Sequence, residues 1–494
     1  MGITRPIAEH ARRLPGETAL VFEDRKVTRG ELDQIVARLA SFIAAKTPPG
    51  GAVALDLPTG PALAVLFLAV AAAGRDAQIF DHDWPAATVG DVVRKLGPDL
   101  IVTARRDFKN SAAIEVDPEI ALPRLGDAFG APAEFRRLSD PDPEAIFYTG
   151  FTSGSTGLPK GFRRTHKSWI ASFAGAQLEF EFGPADCVHA CGPLSLSMPL
   201  YAFASTLHAG AKFILARSFQ ARSVLRLIAH QRVTVLYAVP TQLLLMLDAA
   251  DADDQVLPGL RLILSSGAKW PAKQTKRLKK VFPNAVFAEF YGASELSFIT
   301  LARHDKRVPK DSVGRAFPGV AVTIRDEAGR EQKTGKPGLV FAESALVFSG
   351  YAGGEGEILR AGDAMSVGDI GHLDDKGFLF LSGRSDRLII SSGRNIQPEE
   401  IENVLERHPQ IGHAAVFGLA DEKRGAKLAA LVHLRGQVKV SASDLAQHLR
   451  QYLPGYKIPA RFAVSGEWPQ TRSGKSDFGK LRQIWDDGTC EVLA

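Results

Sequence analysis

Cysteine is scarce in this chain. Three cysteines, Cys187, Cys191 and Cys490, occur among 494 residues. They are too few and too scattered for a disulfide framework, and no histidine or cysteine cluster accompanies them at the spacing of a zinc site. This scarcity argues against a disulfide-stabilised secreted scaffold and against a zinc domain. We therefore expect a cytoplasmic protein, because free thiols are typical of a reducing compartment.

The chain also lacks a long apolar run. Its most apolar stretch, residues 62–73, covers little more than half of the roughly 20 residues that a membrane-spanning helix needs. The start of the chain carries Arg5, Glu9 and Arg12, where a signal peptide would have an apolar core. We expect no membrane span and no signal peptide, and we interpret residues 62–73 as a buried helix.

No block of like charge stands out. The formal net charge of +5 and the isoelectric point near 9.0 are spread over the whole chain, so the resulting field is weak. No arginine-rich arm indicates a nucleic-acid footprint. We interpret the excess positive charge as a solvated surface and expect no nucleic-acid partner.

The chain does have the length and composition of a multidomain globular protein. Its content of 45% hydrophobic and 23% charged residues is ordinary for such a protein. A chain of 494 residues exceeds the size at which a single hydrophobic core keeps growing. We therefore expect at least two domains.

Short apolar runs alternate with helical patterns through roughly the first 300 residues. Residues 31–45 have the three- and four-residue apolar spacing of an amphipathic helix, and the short apolar run 53–57 precedes the buried helix. Further strand-like runs lie at 100–102, 145–148, 212–215, 233–238 and 262–264. Repeated strand–helix units predict an α/β fold with parallel sheets flanked by helices.

The pattern changes after Ser312. Short alternating runs at 320–324, 339–341 and 377–381 are separated by Gly and Asp turns, which predicts a small antiparallel or β-barrel-like segment. Beyond Gly383 the sequence predicts a small α+β domain, with a boundary at 383–387. Its predicted helices lie at 398–407 and 443–452, and its predicted strands lie near 414–418 and 429–434.

The segment most informative about chemistry is residues 148–161, which read YTGFTSGSTGLPKG. A glycine-, serine- and threonine-rich loop after a strand can direct backbone N–H groups and hydroxyls at phosphate oxygens. It is not a Walker loop; Gly474-Lys475-Ser476 ends like one, but Pro469 stands where the first glycine belongs. On composition alone, a Gly/Ser-rich surface loop is the ordinary interpretation.

The ordered string TSGSTGLPKG, residues 152–161, resembles the phosphate-loop signature of the adenylate-forming superfamily. That superfamily includes acyl-CoA synthetases, non-ribosomal peptide adenylation domains and firefly luciferases. Further segments resemble its other motifs in the same order, at 265–269 (SSGAK), 291–295 (YGASE), 367–369 (VGD), 383–387 (GRSDR), 391–393 with 398–402, and 473–475. The resemblance covers nearly the whole chain and is strongest to bacterial acyl-CoA ligases.

The resemblance implies an ATP-dependent, AMP-forming acid–CoA ligase with ATP, Mg²⁺ and coenzyme A as cofactors or co-substrates. It implies an N-terminal domain, 1–384, with two βα-layered parallel sheets and the β-barrel-like segment. A mobile C-terminal domain, 385–494, would turn about a hinge at Asp386, and Gly393 would line the tunnel for the CoA thiol.

The resemblance also implies roles for individual residues. Ser294 would donate to the α-phosphate, Glu295 would hold Mg²⁺, and Lys475 would bridge the reacting carboxylate and the α-phosphate. Phosphate contacts would come from Thr152, Ser153, Gly154, Ser155, Thr156, Gly157 and the catalytic Lys160. Adenine and ribose contacts would come from Gly267, Ala268, Tyr291, Gly292, Asp369 and Arg384. Serine at 294 stands where the family usually has threonine, and it keeps the hydroxyl.

By analogy the acyl group would lie near residues 191–201, 239–242 and 265–267, and the first of these segments is the most informative. Many relatives have a histidine there, and in this chain Leu196 takes that position. Leu196, Met198 and Tyr201 favour an apolar pocket and an aliphatic acid, either fatty or short-chain. An ordinary helix core is an equally good interpretation of these side chains.

Each residue taken alone also has an ordinary interpretation. Asp369 next to a glycine is typical of a turn. Lys475 and Glu295 alone would be typical of a solvated surface, and Tyr291 alone of a core. Their ordered joint occurrence favours catalysis over a degenerate nucleotide-binding scaffold. A stand-alone adenylation enzyme that loads a separate carrier protein is the alternative to a CoA ligase. The sequence leaves the oligomeric state open, with a homodimer among the arrangements.

Overall fold

The computed structural model describes residues 1–493 apart from 107, 109, 153–157, 327, 355–357, 392–393, 422–424, 437 and 472–473. The chain forms two compact units. The first comprises Met1–Ala321 with Ala342–Glu357, and the second comprises Val322–Phe341 with Ile358–Ala494. The predicted domain division between 384 and 385 falls within the second unit and stays a prediction.

One sheet of the first unit contains nine strands in the described part of the chain. In spatial order they are Arg315–Ala316, Ser297–Arg303, Val286–Ala293, Leu262–Ser265, Val235–Tyr237, Cys187–Ala190, Lys212–Leu215, Thr18–Phe22 and Arg25–Thr28. The strands from Val286–Ala293 through Thr18–Phe22 are parallel, and the strands beyond them on either side are antiparallel. Parallel neighbours end at the same edge, which is where ligands bind in sheets of this kind.

A second sheet of the first unit contains seven strands among the described residues. In order they are Gly350–Tyr351, Lys160–Thr165, Ile146–Thr152, Asp76–Ile79, Ala52–Asp56, Leu100–Thr103 and Ala113–Glu115. Its middle is parallel, and its first three strands are antiparallel to one another. The two predicted parallel sheets are therefore present.

Helices connect and cover these strands. They are Arg5–Arg13, Arg29–Lys46, Pro61–Ala72, Ala86–Leu96, Leu122–Ala128, His166–Phe180, Ser197–His208, Ala221–Gln231, Pro240–Ala252 and Thr275–Val281, with 3₁₀ turns at Ala272–Gln274 and Ala352–Gly354. Pro61–Ala72 is apolar on every side and buried, as predicted, because it packs inside the unit. Among the described residues, none of the helices combines the length and the apolar character that crossing a bilayer requires.

The second unit contains an antiparallel sheet, as the alternating pattern after Ser312 predicts. Its strands are Leu359–Ala361, Ala364–Ser366, Gly338–Ser344, Asp369–Leu373 and Leu379–Arg384, with Val320–Arg325 beside Gly338–Ser344. A hairpin of Ile389–Ser391 and Arg394–Ile396 follows. The chain then forms a sheet of Ile411–Asp421, Gly425–Leu434, Arg461–Val464 and Glu491–Val492, with helices Pro398–Leu405, Ala442–Arg450 and Phe478–Asp486 and 3₁₀ turns at Ser385–Arg387 and Gly455–Lys457.

Alternation along the strands gives this last sheet two apolar faces. Val416 and Ala430 pack with the helices Pro398–Leu405 and Ala442–Arg450 in one core cluster. Phe417 belongs to a second cluster, with Ala415, Leu431, Ala463 and Leu481. The predicted fold class is confirmed: an α/β protein with parallel sheets and a separate C-terminal α/β region.

Candidate active site

The predicted phosphate loop begins and ends on neighbouring strands. Ile146–Thr152 leads into it and Lys160–Thr165 leads out of it, and these strands pair antiparallel with Thr152 opposite Lys160. Ser153, Gly154, Ser155, Thr156 and Gly157 lie outside the described residues. The pairing places the two described ends of the loop side by side.

The predicted adenine-side residues lie at the carboxyl edge of the nine-stranded sheet. Gly267 and Ala268 follow the strand Leu262–Ser265, which runs parallel to Val286–Ala293, the strand that carries Tyr291 and Gly292. Gly267 has a φ of +93°, a left-handed conformation that favours glycine. The fold therefore brings the 265–268 and 291–295 motifs to adjacent strand ends.

Gly292 permits a close backbone approach. A Cβ at this position would lie 2.1 Å from the carbonyl oxygen of Ser297, on the adjacent antiparallel strand. The register also shifts between Tyr291 and Gly292. The result is a tight connection that presents Ser294 and Glu295 between two paired strands.

Glu295 is held by a segment that sequence reasoning missed. The Tyr351 hydroxyl donates to Glu295 Oε1 at 3.0 Å. The Glu295 carbonyl oxygen accepts from the Phe348 N–H at 2.7 Å. These bonds fix both the backbone and the carboxylate of Glu295. Tyr351 belongs to none of the recognised motifs, so the sequence offered no signal by which to find it.

Arg164 is a second residue that the sequence analysis missed. Its guanidinium is only 1% exposed and donates to the carbonyl oxygens of Ser294 at 3.1 Å and Glu295 at 3.4 Å, and to that of Leu346. Among the described residues it forms no ion pair with a carboxylate, and burial lowers the pKa of Arg164 to about 10. A buried charge is costly unless it is hydrogen-bonded, and these carbonyl oxygens offset part of that cost.

Ser294 also meets the predicted acyl segment. Its hydroxyl oxygen lies 3.1 Å from that of Ser197, the first residue of the helix Ser197–His208. Leu196, the residue in place of the family's histidine, is the N-cap of this helix and provides no side-chain cap. Leu196 and Met198 are both half-buried.

Tyr201 lies in an aromatic cluster. It is buried, its hydroxyl accepts from Ser172 Oγ at 3.0 Å, and its ring packs against Trp169, Phe173 and Phe298. This packing agrees with the helix-core interpretation, so the pocket role of Tyr201 stays a prediction.

In the second unit, Asp369 and Arg384 stand opposite each other on antiparallel strands. Arg384 Nη1 lies 3.8 Å from Asp369 Oδ1, and its other terminal nitrogen donates to the carbonyl oxygen of Val367 at 3.2 Å. The Arg384 side chain is exposed, and such a surface pair contributes little to stability. The contact of these two groups with ribose hydroxyls stays a prediction.

Lys475 lies in a tight turn of the second unit and is exposed. The Thr471 N–H donates to the Lys475 carbonyl oxygen at 2.7 Å, and the Lys475 N–H donates to Thr471 Oγ1 at 3.2 Å. Trp468 Nε1 donates to Ser476 Oγ at 2.9 Å. The backbone that carries the predicted catalytic ammonium is therefore well anchored.

The predicted hinge lies in the 3₁₀ turn Ser385–Arg387, which includes the backbone of Asp386. The next residue, Arg387, donates to Glu399 at 2.8 Å and to Glu402 at 2.6 Å, and it lies 3.6 Å from the centre of the Phe478 ring. The residue that follows the predicted hinge is thus held by two carboxylates and by the Phe478 ring. Gly393 and the Asp386 side chain lie outside the described parts.

Parallel sheets, a glycine-rich loop between paired strands and a hydroxyl–carboxylate turn define an adenylate-forming enzyme. Comparison with known families agrees. The profile of the "AMP-binding enzyme" family matches residues 7–352, and that of the "AMP-binding enzyme C-terminal domain" matches residues 400–475. The chain belongs to the AMP-binding enzyme family.

Curated relatives are similar over almost the whole chain. An uncharacterized acyl–CoA ligase, YhfT, of Bacillus subtilis (strain 168) is 35% identical over 98% of this chain and 98% of its own. A putative long chain fatty acid–CoA ligase, VraA, of Staphylococcus epidermidis is 29% identical, also over 98% of both chains. The predicted enzyme class, an AMP-forming acid–CoA ligase, is confirmed.

A solved structure supports the same class. The o-succinylbenzoate CoA synthetase of Bacillus subtilis, in complex with its acyl-adenylate intermediate, is similar with a TM-score of 0.84 and 25% identity. The match covers 97% of this chain and 97% of that one. The names of these relatives differ in the acid, so they leave the acid used by this chain open.

Proposed function

We propose that this chain joins an aliphatic carboxylic acid to coenzyme A, using ATP and forming AMP. One observation carries the proposal: Arg164, on the strand that begins with Lys160, donates to the carbonyl oxygens of Ser294 and Glu295. That contact ties the strand leaving the predicted triphosphate loop to the turn predicted to bind the α-phosphate and Mg²⁺.

The reaction has two steps. A carboxylate oxygen attacks the α-phosphorus of ATP, and the bond from this phosphorus to the oxygen that bridges the α- and β-phosphates breaks. Pyrophosphate departs, and the product is an acyl-AMP. The sulfur of CoA then attacks the acyl carbon, the bond to AMP breaks, and the thiol proton passes to solvent. Both steps bring anions together, so catalysis depends mainly on positioning and charge neutralisation.

The residues of this chain suit the first step. Lys160 and the Thr152 hydroxyl would bind the terminal phosphates, and the Ser294 hydroxyl would donate to the α-phosphate. Lys475 would bring a compact positive charge to the reacting oxygens. Lys160 would thus offset negative charge at the terminal phosphates, and Lys475 would offset it at the reacting oxygens.

Glu295 is the residue that would hold Mg²⁺. Among the described residues, no group of three histidine, cysteine, aspartate or glutamate side chains forms a metal site by itself. Mg²⁺ commonly takes one or two carboxylates together with substrate phosphates, and Glu295, fixed by Tyr351, fits that pattern. When bound, Mg²⁺ would neutralise phosphate charge.

The apolar character of the acyl segment supports an aliphatic acid. Leu194 is buried and Leu196 and Met198 are half-buried beside Ser197. The relative named as a putative fatty acid–CoA ligase agrees with this choice. Loading of a separate carrier protein is the alternative acceptor reaction. We place the reaction in the cytoplasm, and a homodimer stays a prediction.

The test is an acid panel. Purified protein, ATP and Mg²⁺ are incubated with aliphatic acids of increasing chain length, with and without free CoA, while pyrophosphate and thioester are measured. We expect pyrophosphate release with at least one aliphatic acid and a CoA thioester when CoA is present. Acyl-AMP without any CoA thioester would favour the carrier-protein alternative. Release of no pyrophosphate with any acid would refute the proposal.

A further inference from the structure

The Tyr148 hydroxyl is buried in the first unit. The side chain is 0% exposed, and its oxygen has no well-formed hydrogen bond to any described residue. Burial raises the pKa of Tyr148, and the neighbouring Ser197 hydroxyl opposes that rise. A buried polar group left unpaired is destabilising, and such groups in native proteins often serve a ligand.

Gly150 shows where this hydroxyl points. A Cβ at Gly150 would lie 2.1 Å from the Tyr148 oxygen, so the ring extends along its own strand toward the predicted phosphate loop. A larger residue at 150 would fill the space that the phenol occupies. The tyrosine hydroxyl is therefore held at the loop end of the strand.

Two more hydroxyls continue from Tyr148. Ser197 is beside the phenol, and its own oxygen lies 3.1 Å from Ser294 Oγ. Arg164 stands opposite Tyr148 on the paired strand and holds the Ser294 carbonyl oxygen. Three hydroxyl groups thus lie near the buried Arg164 guanidinium, whose hydrogen bonds among the described residues go to carbonyl oxygens and not to a carboxylate. This combination suits an anionic oxygen atom.

We infer that the hydroxyls of Tyr148 and Ser197 form the cradle for the carboxylate of the acid substrate, beside the Ser294 hydroxyl that is predicted to donate to the α-phosphate. The inference rests on the proposed function and extends it, because neither Tyr148 nor Ser197 belongs to the matched motifs that predict nucleotide contacts. Leu196, in place of the family's histidine, has no side-chain donor. The adjacent Ser197 supplies one. The cradle orients one carboxylate oxygen beside Ser294, which is predicted to contact the α-phosphate that this oxygen attacks.

Tyr148→Phe gives a sharp test, because it removes a hydroxyl that makes no well-formed hydrogen bond to the described residues. We expect its KM for the acid to rise about tenfold, the value for a hydrogen bond to a charged group, while its KM for ATP is unchanged. The thermal midpoint of the ligand-free protein should not fall. If the Tyr148 hydroxyl had a structural role instead, Tyr148→Phe would lower the thermal midpoint, because a bond that stabilises the fold would be lost.

Ser197→Ala should raise the KM for the acid similarly, and Ser197→Thr, which keeps the hydroxyl, should restore it. Ser205→Ala is the matched control on the same helix, since its hydroxyl donates to the carbonyl oxygen of Ala202 and not to Tyr148 or Ser294. All variants are measured by ATP–pyrophosphate exchange with an acid that the wild type accepts.

The cradle is overturned if Tyr148→Phe and Ser197→Ala both remain active and their KM for the acid is unchanged. That result leaves the proposed function standing. A rise in KM accompanied by a lower thermal midpoint, or an equal rise in the KM for ATP, also overturns the cradle. A wild type that exchanges pyrophosphate with no acid refutes the proposed function, and the cradle with it.

Discussion

The Tyr351 hydroxyl donates a hydrogen bond to Glu295 Oε1 at 3.0 Å, across 56 residues of sequence. Groups that hydrogen-bond a metal ligand orient it and tune its affinity. If Glu295 binds Mg²⁺ as proposed, Tyr351 positions that ligand. The bond therefore leads to a test of the metal role that leaves Glu295 itself in place.

We expect Tyr351→Phe to raise the Mg²⁺ concentration needed for half-maximal pyrophosphate exchange by about tenfold, because the carboxylate loses its orienting donor. Saturating Mg²⁺ should restore most of the rate. Tyr456→Phe, at an exposed 3₁₀ turn of the second unit, serves as the control and should leave the Mg²⁺ curve unchanged. Superimposable curves for Tyr351→Phe and the wild type would remove Tyr351 from the metal site.

Lys475→Ala should separate the two half-reactions. We expect acyl-AMP formation to slow by about 100-fold or more, because the positive charge at the developing negative charge is lost. Thioester formation from supplied acyl-AMP should stay near the wild-type rate. The measurements are pyrophosphate exchange for the first step and CoA consumption for the second.

Lys480→Ala is the control for that experiment. Lys480 is also exposed, and it lies in the helix Phe478–Asp486, which follows the Lys475 turn. Its Nζ is 3.7 Å from Asp477 Oδ2. It should retain both half-reactions. An equal loss of both steps in Lys475→Ala would contradict its predicted role.

His166 makes the stability of the first unit dependent on pH. Its side chain is 0% exposed, and its Nδ1 accepts a hydrogen bond from the Ile3 N–H at 3.2 Å, which requires an unprotonated nitrogen. Burial, aided by the nearby terminal amine, lowers the pKa of His166 from 6.5 to about 4. Between these values the unfolded chain binds more protons than the folded protein, so unfolding becomes easier as the pH falls.

We expect the free energy of unfolding to fall by up to about 3 kcal/mol from this group between pH 6.5 and pH 4. Thermal midpoints across that range measure the effect. His166→Gln should flatten the dependence, whereas His230→Gln, at an exposed position, should not. The same slope in His166→Gln and the wild type would show that other groups cause the loss.

Much of the fold follows from local patterns. The apolar residues 62–73 predict the buried helix Pro61–Ala72, and residues 398–407 predict the helix Pro398–Leu405. A strand such as Cys187–Ala190 is not predicted, because His189 interrupts its apolar run. It exists because it is buried between parallel neighbours on both sides.

The sequence by itself determined the class of this protein, since motifs such as 152–161 and 291–295 are local in sequence and their order resembles that of one enzyme family. Only the tertiary structure decided which side chains support those motifs. Arg164 meets Ser294 across 130 residues, and Ser197 meets it across 97. No periodicity or motif encodes such contacts, because each depends on how two separate sheets and a helix pack together.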